Sequence, residues 1–116
     1  MNIFERRHFE RISILGAKVF YKRKNGQAGL MPMNNLTLNS VCFKIKHHLK
    51  LGEYIKLDII VPNKEVISVK GIVTRFEIPT YAVVQFFAFG TDERYNSMKS
   101  YDQLKKLLNE YLLVVY

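Results

Sequence analysis

The sequence predicts an all-β domain with a C-terminal helix: a small six-stranded antiparallel β-barrel capped or followed by one α-helix. Three observations carry this expectation. About six short segments alternate apolar and polar residues with period two. Turn-forming residues separate these segments at roughly 8–14-residue intervals, the rhythm of small barrels and sandwiches. After Gly90 the apolar period lengthens to three and four, which is helical.

The elements follow in order. "AKVFY" sends Ala17, Val19 and Tyr21 to one face and Lys18 and Phe20 to the other. Asn25-Gly26 then reads as a hairpin turn, because both residues tolerate positive φ. "VCFKIK" alternates Val41, Phe43 and Ile45 against Cys42, Lys44 and Lys46. "YIKLDIIV" sets Ile55, Leu57, Ile59 and Val61 against Tyr54, Lys56 and Asp58. Pro62-Asn63-Lys64 turns the chain into "EVISVKGIVTRFE", with Ile67, Val69, Gly71 and Val73 in register and Gly71 placed where a sheet bends. Pro79-Thr80 interrupts the pattern, and "YAVVQFFAF" is a last, largely buried strand. Phe43, Phe76, Phe86 and Phe87 are expected in the core or against the helix.

The helix is expected over about residues 91–112, with Thr91 as its cap and Asp92 and Glu93 at its positive end. Tyr95, Met98, Tyr101, Leu104, Leu108 and Tyr111 form its apolar face. The length of this helix and the apolar tail Leu112–Tyr116 point to further cover from a second copy of the chain or from another protein.

Composition bounds the function. The 116 residues are 48% hydrophobic with one cysteine, enough for a single core without disulfides and in keeping with a reducing compartment. No leader pattern and no run of about 18 apolar residues is present, so a cytoplasmic domain without a membrane span is expected. Residues 1–12 read as a flexible arginine-rich arm and 13–116 as one domain. The net charge of +8, from 18 basic against 10 acidic residues, favours anionic partners. No paired carboxylates and no Gly-rich phosphate loop occur, so no catalytic residues, and no enzyme, are expected. His47-His48 lacks metal-ligand spacing and Cys42 reads as half-buried packing, so no metal is expected either. Nucleic acid is not an expected partner, because most aromatic residues fall at core-like positions.

Two stretches remain. "FERRHFERIS" places Arg6, Arg7 and Arg11 just ahead of the first strand. "NNLTLNS", between the second and third strands, supplies Asn35-x-Thr37-x-x-Ser40. An Arg-x-x-x-Arg lead-in followed by an Asp/Asn-x-Ser-x-x-Gly turn resembles the PilZ domain family, and the strand order and closing helix extend the resemblance over nearly the whole chain. That resemblance implies a PilZ-like split barrel and a bacterial receptor for the second messenger cyclic di-GMP, in motility and biofilm signalling. Arg7 and Arg11 would meet phosphate and base, Asn35 and Thr37 a guanine edge, and Ser40 would close the turn. Arg6 would accompany binding of two intercalated ligand molecules. Guanidinium suits the task, since its planar fork grips phosphate or guanine O6/N7 in pairs and stacks on bases. The pattern departs at Thr37, which adds a methyl group, and at Asn39 and Ser40, where glycines are usual. A PilZ-like adaptor without nucleotide, related to motility or type IV pili and signalling through its helix, is the alternative. On the residues alone, a solvated arm beside Glu5 and Glu10 is the other reading of the arginines.

Overall fold

Alternation closes into a barrel because the inward side chains of every strand share one interior. The structure, a computed structural model, describes residues 10–113. Strands β1 (Lys18–Arg23), β2 (Ala28–Leu36), β3 (Ser40–Lys44), β4 (Tyr54–Ile60), β5 (Ile67–Glu77) and β6 (Tyr81–Phe86) precede helix α1 (Met98–Leu113). The sheet is a closed barrel in the order β1-β2-β3-β6-β5-β4, with every pair antiparallel. The expected fold class is therefore observed. Val19, Tyr21, Phe43, Ile55, Leu57, Ile59, Val69 and Val84 fill the interior. Gly71 marks the tightest approach: a Cβ there would lie 2.0 Å from the Gln85 carbonyl oxygen on β6, so no side chain fits.

The β1–β2 turn differs from the two-residue form expected. Arg23 N–H donates to the Gln27 carbonyl at 2.8 Å, and Gly26 N–H to the Arg23 carbonyl at 3.0 Å. Only Gly26 takes positive φ, at 91°, while the Asn25 side chain accepts the Gln27 N–H. A third loop residue lets a single left-handed glycine complete the twist.

The helix also begins later than expected. Ser97 is its cap, accepting the Ser100 N–H on Oγ at 3.0 Å. Thr91 instead donates to the Ala88 carbonyl, and Asp92 accepts the N–H groups of Arg94 and Tyr95. This loop is held by Asn96, fully buried with φ 55°. Where β6 stops at Phe86, the Asn96 side-chain amide takes over the ladder. It accepts the Lys70 N–H at 2.8 Å and donates to the carbonyls of Lys70 and Phe87 at 2.9 and 2.8 Å. The helix then lays Leu104, Leu107 and Leu108 on the barrel, while Met98 is more than half exposed. Leu107, not Met98, completes the buried face.

Two phenylalanines expected inside lie outside. Phe87 stacks on Tyr54 with ring centroids 5.9 Å apart, and Phe76 follows the register shift between Val73 and Arg75, where the regular alternation of β5 ends. Cys42 is fully buried rather than half-buried. The arm is anchored by its twelfth residue. Ile12 is buried and exchanges two backbone hydrogen bonds with Leu36, at 3.0 and 2.9 Å.

Candidate functional site

The connection from β2 to β3 is built around one hydroxyl. Thr37 Oγ1 accepts the N–H groups of Asn39 and Ser40, at 3.2 and 3.0 Å, and donates to Asn39 Oδ1 at 2.8 Å. Ser40 Oγ lies 2.9 Å from the same atom, and Thr37 N–H donates to the Ser40 carbonyl. Thr37 is buried, so its hydroxyl is a strut of the turn and does not face solvent. Neither Asn39 nor Ser40 adopts positive φ, so replacing the usual glycines strains nothing in the backbone. Asn39 is exposed and Asn35 and Ser40 are half-buried, with the side-chain oxygens of Asn39 and Ser40 turned onto Thr37. Asn35 pairs with Cys42 and Ser40 with Gln85 on the outer face of β2, β3 and β6.

The Ile12–Leu36 bridge carries Arg11 to this same face. Ile12 points into the core, so its neighbours Arg11 and Ser13 point outward, and Ser13 Oγ donates to the Asn34 carbonyl at 2.9 Å. Arg11 is half-exposed and its guanidinium meets Glu77 at 3.2 Å; Arg75 reaches the same carboxylate oxygen at 3.0 Å. The Cys42 thiol, beneath them, donates to Glu77 Oε1 at 3.6 Å and accepts from the Asn34 amide at 3.8 Å. Burial pushes the Cys42 thiol up from its ordinary pKa, which keeps it protonated and unreactive. The hydrogen bond from Arg75, and then the charge of Arg11, hold Glu77 below its ordinary 4.5. With a lowered folded value, the Glu77 contribution to stability is complete above 4.5 and is lost as pH falls through the folded value.

The structure thus gathers Arg11, Asn35 and Ser40 on one outer face and removes Thr37 into the turn. Arg6 and Arg7 lie outside the described residues. Sequence reasoning missed Glu77 and Arg75, which no local motif announces: Glu77 reaches Arg11 only because β5 and β6 pair beside β3. Among the described residues no cluster of three or more His, Cys, Asp or Glu side chains is placed to hold a metal. His47 has a structural partner, its Nδ1 lying 2.6 Å from the buried Tyr21 hydroxyl, which also accepts the His47 N–H. No helix among the described residues is long and apolar enough to cross a membrane. No protein-family model and no curated protein matches the chain.

Proposed function

We propose that this chain is a PilZ-like receptor for cyclic di-GMP, with Arg7 and Arg11 gripping the ligand, Arg6 engaging a second copy of it and Asn35 and Ser40 lining its seat. The observation that supports the reading is the Ile12–Leu36 bridge, which sets Arg11 beside the end of β2, where the polar turn begins. The mechanism is ordering. An arm fixed at Ile12 folds over the ligand, and each residue ordered costs about 1–2 kcal/mol of backbone entropy. Charge-assisted hydrogen bonds to phosphate offset that cost only with the nucleotide present. Closure then changes the surface offered to a protein partner, in a cytoplasmic signalling role.

Thr37 has no direct ligand role in this reading; it holds Asn39 and Ser40 in place. Glu77 competes with phosphate for Arg11. Calorimetry with cyclic di-GMP is the test. Micromolar binding is expected that refuses cyclic di-AMP, vanishes in Arg7→Ala/Arg11→Ala and strengthens several-fold in Glu77→Gln. Undiminished binding by the double variant overturns the proposal.

The occupied state of Arg11 favours a second reading, an adaptor of the same fold that has exchanged its nucleotide for an internal carboxylate. A titration without heat for both the parent and Glu77→Gln decides for the adaptor.

A further inference from the structure

On the opposite side of the barrel the charges are arranged differently. Strands β1, β4 and β5 lie side by side, and their registers set Lys22 directly opposite Lys56, and Lys56 directly opposite Lys70. Like charges directly across antiparallel strands destabilise a sheet. Lys70 is relieved by Asp92 at 3.0 Å. For Lys22 and Lys56 no carboxylate partner exists among the described residues. The Lys56 ammonium lies instead 5.1 Å over the Tyr95 ring, and the Arg94 guanidinium 4.9 Å from it. Lys24 lies 5.1 Å over Tyr54. A ring attracts a cation through its quadrupole but leaves the positive charge in place.

These side chains frame a cleft of about 670 Å³ with no carboxylate in its lining. The acids at its edge are engaged. Glu53 is held by Arg23 in a two-pronged pair at 2.6 and 2.9 Å, and Asp58 accepts the Ser68 hydroxyl at 2.7 Å. Aromatic surface continues along the same face. Phe20, on β1 opposite Asp58, is 39% exposed and lies beside Lys22 and Lys56 at the neighbouring end of the groove. Phe20 and Tyr54 occupy the outward positions that the alternation of their strands assigns them.

We propose that this cleft is a binding site for single-stranded nucleic acid. Lys22, Lys24, Lys56 and Arg94 take the phosphates, and Phe20, Tyr54 and Tyr95 flank the bases. Cations interleaved with rings along a groove match a strand in which phosphates and planar bases alternate. An anionic lipid surface needs the charge but not the concave wall or the rings. The site shares no residue with the face bearing Arg11 and stands independently of the cyclic di-GMP reading.

Fluorescence anisotropy with a labelled oligouridylate of about twelve nucleotides tests it, at low and at raised salt. Binding is expected to weaken at least about 10-fold in Lys22→Glu/Lys56→Glu and about 5-fold or more in Phe20→Ala. The log–log salt slope should fall by roughly 0.7 for each phosphate contact removed. Lys44→Glu/Lys106→Glu, which changes net charge equally, and Arg7→Ala/Arg11→Ala should leave binding within about 2-fold of the parent, the margin that separates a site from general charge. No binding, equal weakening by the charge-matched control, or displacement by equimolar cyclic di-GMP overturns the proposal. So does binding to phosphatidylserine vesicles that Lys22→Glu/Lys56→Glu abolishes while the oligonucleotide goes unbound.

Discussion

Two outer faces of this barrel carry cations, and they are neutralised in opposite ways. On the β2–β3–β6 side, Arg11 and Arg75 converge on Glu77, and the neighbouring turn satisfies its own polar groups through Thr37. On the β1–β4–β5 side, lysines stand opposite lysines and rings occupy the positions where acids would relieve them. The first arrangement is at rest without a ligand; the second carries a repulsion that an anion removes. The number of basic residues does not distinguish the faces. What distinguishes them is that Arg11 and Arg75 share a carboxylate, whereas Lys22 and Lys56 have none among the described residues.

The largest expected effect separates the two faces mechanically. Asn96 fixes the loop that carries Arg94 and Tyr95, through three hydrogen bonds from a fully buried side chain. Asn96→Ala leaves the Lys70 N–H and the Lys70 and Phe87 carbonyls in want of partners, at a cost of about 2–4 kcal/mol by urea denaturation. Under native conditions the variant should lose oligonucleotide binding while the face bearing Arg11 keeps its properties. Parent-like stability would show that the loop is held by something other than this side chain.

A smaller effect is expected at the turn. Thr37→Val keeps the shape but leaves the N–H groups of Asn39 and Ser40 without their acceptor, costing about 1–2 kcal/mol. Thr37→Ser restores the acceptor and should recover most of that loss. If the hydroxyl instead served a ligand, Thr37→Val would unfold at the parent's denaturant midpoint and reveal itself only in nucleotide titrations.

The barrel was legible because period two is a local property of each strand, and the interior accepts whichever face is apolar. Turn and cap details were less so. Thr91 and Asp92 are sound helix starters by type, yet Asn96 and Ser97 lie closer to the first helical turn, and the buried amide of Asn96 has value only beside the end of β6. The candidate site divided along the same line. Arg11 and the polar turn stand out by spacing, whereas Glu77 reached Arg11 through pairing between strands distant in sequence. The row Lys22–Lys56–Lys70 is invisible for the same reason. Each lysine sits at an ordinary outward position, and only the register of three strands places them abreast.

The smallest effect tests the comparison at its root, in the protein without ligand. If Lys22 and Lys56 repel, deleting one charge should stabilise the fold, by about 0.2–1 kcal/mol at low ionic strength. Lys22→Met is the cleaner variant, since it removes the charge while keeping an unbranched side chain, and Lys22→Glu should gain somewhat more by facing Lys56 with an acid. Both gains should shrink as salt screens these exposed charges. Glu77→Gln on the other face should move the opposite way, by less than about 1 kcal/mol, because it releases two arginines from one partly exposed acid. Thermal melts of the three variants across ionic strength give the signs directly. A Lys22→Met protein less stable than its parent at low salt would mean that the lysine row is already compensated within the fold, and the contrast between the two faces would disappear.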